Sequence, residues 1–154
     1  MSFIETLKNL KPHCAGVIVF NLNNKHKCSI VQKNNDRIKT NSGFPKGKRE
    51  GVENAFDCAK RELFEESGLS FNQLQFIDDF YITELSAKNN ISVIYLVAKY
   101  IDKKNHKFTF DTDELKLSDF LLIDDAMKML SNKRKSILQT AYNKILTTET
   151  FVEL

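Results

Sequence analysis

One stretch constrains this chain more than any other: Gly43 to Leu69, GFPKGKREGVENAFDCAKRELFEESGL. It opens as a loop. Pro45 fixes its own φ and pushes Phe44 toward extended backbone, while Gly43, Gly47 and Gly51 permit tight turns. It closes as a helix. From about Glu53 to Ser67 no Gly or Pro interrupts a run of good helix formers, and Gly68 stands where a glycine stops a helix.

On that helix, steps of ~100° per residue put Glu62 and Glu66 nearly in line, with Glu65 about 100° around from Glu66. The small residues Ala55, Cys58 and Ala59 share the face. Carboxylates this close oppose one another: a pair ~4 Å apart repels by about 4 kcal/mol at an effective dielectric near ~20. Acids near a helix C-terminus also oppose the macrodipole, so a solvated helix end does not account for their position. A bound cation does, and oxygen-only donors point to a hard ion such as Mg2+ or Mn2+. Arg61, one turn before Glu65, is placed to hold a carboxylate.

The spacing runs Gly47, five residues, Glu53, seven residues, then Arg61-Glu62-Leu63-Phe64-Glu65-Glu66-Ser67-Gly68-Leu69. It matches every fixed position of the Nudix hydrolase box, and the chain resembles that family. The resemblance implies an α/β (α+β) fold, the Nudix α/β/α sandwich with a mixed central sheet. It implies cleavage of a phosphoanhydride bond in a nucleoside diphosphate linked to another moiety. It also implies Glu62, Glu65 and Glu66 as ligands of Mg2+ or Mn2+, with the Gly47 carbonyl as a further ligand. Glu66 is then the most important acid and a candidate base, and Arg61 with Glu53 is the ion pair that orients the helix.

Many family members carry another acid downstream, and Glu114, in the acidic loop Asp111 to Glu114, is the second candidate base. Solvated loop charge is the competing reading of those acids. Lys46, Lys48 and Arg49 are candidate binders of substrate phosphates, against a reading as plain loop cations.

The surrounding residues bear on substrate. Gly43-Phe-Pro-Lys-Gly-Lys48, Asp57-Cys-Ala59 and Cys14-Ala-Gly-Val-Ile-Val-Phe-Asn21 resemble the catalytic domain of messenger-RNA decapping enzymes. Glu114-Leu-x-Leu-Ser-Asp-Phe120 resembles their segment with a late glutamate. This likeness implies capped RNA as partner, release of 7-methylguanosine diphosphate, and RNA contacts from Lys133, Arg134, Lys135 and Lys144 on the last helix. The chain departs from the pattern in two ways. Its 154 residues leave no room for the helical regulatory domain of the eukaryotic enzymes, and it has no Trp to stack on a cap guanine, leaving Phe44, Tyr81 and Tyr95 as substitutes. Related Nudix enzymes hydrolyse diadenosine tetraphosphate or diphosphoinositol polyphosphates, so a nucleotide or inositol polyphosphate is the alternative substrate. A non-catalytic binding module is a third reading, and the complete set of box acids argues against it.

The length favours one domain over 1–154. Hydrophobic residues at 42% and charged residues at 28% are ordinary for a soluble protein. The longest apolar run, Ala15 to Phe20, is too short to span a membrane, so no membrane partner is expected. Cys14, Cys28 and Cys58 have neither zinc nor disulfide spacing and read as buried thiols in a reducing compartment. With no signal peptide, that gives a cytoplasmic location, or the host cytoplasm if the chain is viral.

Ser2 and Glu5 have capping-box spacing before a short helix, Phe3 to Leu10. Ala15 to Phe20 and Cys28 to Gln32 read as a hairpin. Leu74 to Leu85 and Ile91 to Ile101 are further strands, the latter covered on both faces. Phe108 to Phe110 and Leu117 to Ile123 complete the strands. Asp124 is expected to cap a helix through Leu130, and Lys133 to Leu146 to form an amphipathic one with Ile137, Leu138, Ala141 and Ile145 inward. His13 and His26 read as surface histidines, and the basic segment Lys33 to Ser42 as a loop.

Overall fold

The computed structural model describes residues 1–34, 41–88 and 90–154. The chain runs α1 (Phe3–Lys8), β1 (Cys14–Asn21), β2 (Lys27–Lys33), β3 (Ser42–Gly43), β4 (Lys46–Lys48), α2 (Ala55–Ser67) and a 3-10 turn (Phe71–Gln73). It continues through β5 (Leu74–Leu85), β6 (Ile91–Tyr100), β7 (Leu115–Leu122), α3 (Ile123–Met129), α4 (Asn132–Thr147) and β8 (Phe151–Val152). The sheet is ordered β3-β2-β1-β6-β5-β8, with β4 also on β1 and β7 also on β2. It is mixed: β1 lies parallel to β6 from Cys14↔Val93 to Phe20↔Lys99, and the other pairings are antiparallel.

Helices cover both faces of this sheet, which explains why its central strands are apolar without alternation. Val17 and Val19 of β1 and Leu96 and Ala98 of β6 pack with Leu7 of α1 and Phe56, Cys58 and Leu63 of α2. The intervening residues Ile18, Phe20, Tyr95 and Val97 face the other way, onto Ala126 of α3 and Ile137, Leu138, Ala141 and Ile145 of α4. Successive side chains of one strand thus feed two cores. Three such layers give the expected sandwich. The three cysteines are buried and free, and no helix among the described residues is long and apolar enough to cross a membrane.

Several boundaries differ from expectation for local reasons. The Ser2 hydroxyl accepts from Glu5 N and caps α1, which ends at Lys8 rather than Leu10. α2 begins at Ala55, because the Asn54 side chain accepts from Asp57 N at 2.9 Å, while the Glu53 carboxylate is occupied by Glu50 N at 2.8 Å. The Phe108 to Phe110 segment is not a strand. Thr109 N donates to Ser67 O, and the Phe108 ring stands edge-on to Phe120. Asp124 is not a cap: α3 starts at Ile123, leaving Asp124 in its first turn, where a negative charge suits the helix dipole. His13 is exposed, but His26 is half-buried, its Nδ1 2.6 Å from the Tyr142 hydroxyl. β3, β4 and β8 are short strands within stretches read as loop or left unassigned, and positions 35–40 of the expected Lys33 to Ser42 loop lie outside the described residues.

Candidate active site

α2 presents its carboxylates to the strand that precedes it. β4 pairs with the start of β1, Gly16↔Lys46 to Cys14↔Lys48, and this fixes its backbone against the helix. Lys46 N donates to Glu66 Oε1 at 3.0 Å, and the Cys58 thiol donates to Gly47 O at 3.4 Å. A Cβ at position 47 would fall on the Glu62 carboxyl group, so the glycine leaves the space that this side chain occupies against β4. Gly47→Ala is expected to turn the flexible Glu62 side chain aside, at a stability cost of about 1 kcal/mol or less, and to lower hydrolysis. Urea unfolding measures the first effect and hydrolysis the second. A variant as active as the parent would show that hydrolysis does not need Glu62 in this position.

Arg61 organises the outer side of the helix. Its Nε and Nη2 reach the two Glu53 oxygens at 2.8 and 3.0 Å, its Nη1 reaches Glu62 at 2.8 Å and Glu65 at 3.2 Å, and Nη2 also donates to Lys48 O at 2.9 Å. The hydrogen bonds from Arg61 hold the Glu53 carboxyl below its ordinary range, and those to Glu53 hold the guanidinium above its own. The three box carboxylates are therefore not gathered at one point. Glu62 and Glu65 lean on Arg61, and Glu66 rests on Lys46 N. Burial raises the pKa of Glu62, and burial followed by the neighbouring Glu62 charge raises that of Glu66 to about 7.

A cleft of about 510 Å3 opens over these groups. Glu62, Glu66, Asp113 and Glu114 line it with Gly47, and so do Lys33, Lys46 and Lys48. The acidic loop is held there by Asn34 at the end of β2, whose N donates to Glu114 O at 3.0 Å and whose Nδ2 donates to Thr112 O at 2.8 Å. Burial, with the positive charges of Arg134 and Lys33 added, lowers the Lys46 pKa. Hard oxygen donors, two of them desolvated carboxyls, suit a divalent cation of the magnesium type. Among the described residues no three carboxylates form a finished cage, and Glu62 and Glu65 are engaged by Arg61.

The NUDIX domain family matches residues 12–141, which include this whole arrangement. The chain belongs to the Nudix family. With its box acids complete it is a Nudix pyrophosphohydrolase. A methanol dehydrogenase activator of Bacillus methanolicus is 29% identical, over 84% of this chain and 72% of that protein. Among solved structures, a C. elegans Ap4A hydrolase in a binary complex superposes with a TM-score of 0.71 at 22% identity, covering 86% of this chain and 97% of that one. The Nudix domain of Shewanella oneidensis NrtR complexed with ADP ribose gives 0.61 at 13% identity, covering 94% and 99%. Both likenesses are of fold. Hydrolases of this family generally use divalent metals.

Other candidate residues lie away from the Nudix cleft. Arg49 donates to the carbonyls of Pro12 and Gly51 at 3.0 Å each, so it fastens the loop and does not line the cleft. Phe44 and Tyr95 are fully buried and pack edge-to-face at 5.3 Å; they are core residues and offer no face to a guanine, while Tyr81 is 37% exposed. Arg134 is half-buried, donating to Glu84 at 3.2 Å and to Ser42 O at 2.8 Å, and so leaves the expected set of free helix cations. Lys133 reaches Leu85 O, and Lys144 lies 5.0 Å from the Phe80 ring centroid. Lys135 is about 200° around the helix from Lys133, so the cations do not form one stripe. Lys33 and Asn34 were not marked as site residues, and Ser118, whose hydroxyl donates to Glu66 O at 2.6 Å, stood in the Glu114 segment without a role; the register of β2 on β7 brings them in.

Proposed function

We propose that this Nudix hydrolase cleaves a phosphoanhydride bond in a small, phosphate-dense substrate, a dinucleoside polyphosphate or a diphosphoinositol polyphosphate. The observation that carries this reading is the lining of the cleft: three lysines and four acids, with no aromatic ring among the described lining residues. Such a lining favours a chain of phosphates over a stacked base. Lys33, Lys46 and Lys48 bind the phosphate oxygens, and Lys46, with its lowered pKa, is the one least hydrated. Glu62, Glu65 and Glu66 with the Gly47 carbonyl would hold Mg2+ or Mn2+. Such an ion would supply neutralisation of phosphate charge and a lowered pKa for an attacking water. Glu66 or Glu114 takes the proton of that water, while Arg61 and Glu53 keep the helix in register.

Capped RNA is the second reading, supported by the exposed Lys133 and Lys144 and by the likeness of the Gly43 to Lys48 loop to decapping enzymes. Product analysis with manganese or magnesium separates the two. The panel is diadenosine tetraphosphate, a diphosphoinositol phosphate, free cap analogue and cap-labelled long RNA. The expected result is metal-dependent turnover of a small polyphosphate, abolished by chelator, at least about tenfold faster per enzyme than decapping. Release of 7-methylguanosine diphosphate from long RNA, with little turnover of the small substrates, would replace the first reading by the second.

A further inference from the structure

A second basic site lies at the end of the sheet away from the cleft. The β1–β2 turn and the segment after β6 enclose a pocket of about 200 Å3. Lys25, Lys27, Lys103 and Lys104 line it, together with asparagines, and no acid does. None of the four ammonium groups has a carboxylate within 4.0 Å among the described residues. Asp102 is the nearest acid in sequence, and its carboxylate accepts from Lys104 N at 3.1 Å. Asn23 Nδ2 donates to Asp102 O at 3.3 Å and ties the two walls together.

The chain as a whole carries 23 basic and 20 acidic side chains, a surplus of three, and four of its cations meet at this one site. Four cations around one concave site make the local potential positive and favour an entering anion. The pocket is no extension of the catalytic cleft. β1 runs from Cys14 in the cleft to Asn21 in the pocket, seven steps of ~3.3 Å, or about 23 Å. That exceeds two Debye lengths at physiological salt. The ligand chemistry follows from the residue type. Ammonium groups are point charges without the planar fork of arginine, so they select charge density over shape. The asparagine amides add neutral donors of the kind that bind phosphate oxygens.

We propose that this pocket binds a triphosphate or longer oligophosphate group, separately from the substrate in the cleft. The group comes from a free oligophosphate or from the triphosphate end of an RNA. The test is titration of inorganic tripolyphosphate into the full chain in the presence of chelator, followed by backbone amide shifts. Shifts are expected at residues 21–27 and 102–105, and they persist in the cleft variant Lys46→Gln/Lys48→Gln. Affinity at this site falls about tenfold or more in Lys25→Gln/Lys27→Gln/Lys103→Gln/Lys104→Gln, and steeply with added salt. The loop-only variant Lys103→Gln/Lys104→Gln, which leaves the sheet untouched, loses part of it. Both pocket variants retain metal-dependent hydrolysis. An RNA oligomer with a 5′-triphosphate and the same oligomer with a 5′-hydroxyl separate the sources. Binding of the first alone assigns the RNA end, and binding of neither, with tripolyphosphate bound, assigns a free anion. Equal binding of both oligomers, shifts confined to the cleft, or unchanged affinity in the fourfold and loop-only variants would overturn the proposal.

Discussion

Glu66→Gln is expected to fold normally and to lose about 10²–10⁴-fold in turnover, the range for removing a positioned proton acceptor. Glu66 lies in the last turn of α2, and its carboxylate accepts from Lys46 N at the edge of the cleft. A glutamine there keeps the size and can still accept that bond through its amide oxygen. It loses the charge that a divalent cation needs and the basicity that a nucleophilic water needs. Turnover of the substrate that the parent hydrolyses, with circular dichroism as the folding control, makes the measurement. The parallel Glu114→Gln variant assigns the base: a large loss in one variant with a loss under about tenfold in the other identifies it. Unchanged turnover in Glu66→Gln removes this residue from the chemistry.

The same substitution has a stability signature of opposite sign. In chelator, burial lifts the Glu66 pKa from 4.5 to about 7. Between those values the folded chain keeps a proton that the unfolded chain has released, so stability falls as pH rises through the window. The full shift corresponds to about 3 kcal/mol, and partial exposure reduces it to about 1–2 kcal/mol. Glu66→Gln should therefore be more stable than the parent at pH ~8, and the gain should shrink toward pH ~5. Urea unfolding in chelator at both pH values tests this. A gain that does not change with pH would mean that ionisation of Glu66 is not its source.

The sequence showed where the catalytic helix lies because its determinants are local: helix formers, a terminating glycine and box spacing all fall within Gly43 to Leu69. Gly68 indeed ends the helix in left-handed geometry, φ 75°, donating to Phe64 O. The central strands were legible for a related reason, since two buried faces leave little room for polar residues in Cys14–Asn21 or Ile91–Tyr100. What was hidden depends on long-range register. Arg134 looks in sequence like one more exposed lysine-type cation, and only the fold brings Glu84 and Ser42 O to it. Phe44 likewise carries no local sign of facing inward, whereas Tyr95 lies in the strand whose two buried faces were legible. Asn34 and Ser118 reach the site because β2 and β7 pair, more than 80 residues apart in the chain.

Arg61→Ala should cause the largest stability loss of any single substitution at the site, because one guanidinium serves four partners. It is 22% exposed, and the side chains of Glu53 and Glu62 are 20% and 12% exposed. Breaking a buried ion pair costs about 3–5 kcal/mol, and partial solvent access brings the expected cost to about 2–4 kcal/mol. The pH dependence follows from Glu53. Its folded-state pKa is depressed by Arg61, so its contribution is present above pH ~4.5 and is lost as pH falls through the lower folded value. The difference between parent and variant should therefore narrow on acidification. Arg61→Lys should recover less than half of the loss, because one ammonium cannot bond both Glu53 oxygens, Glu62 and Lys48 O together. Unfolding curves at pH ~7.5 and at a series of pH values below ~4.5 measure all three effects. A loss below about 1 kcal/mol at the higher pH would mean that solvent screens the cluster as it does surface pairs. In that case any fall in turnover would place Arg61 in the handling of metal and substrate, rather than in holding the helix to β4.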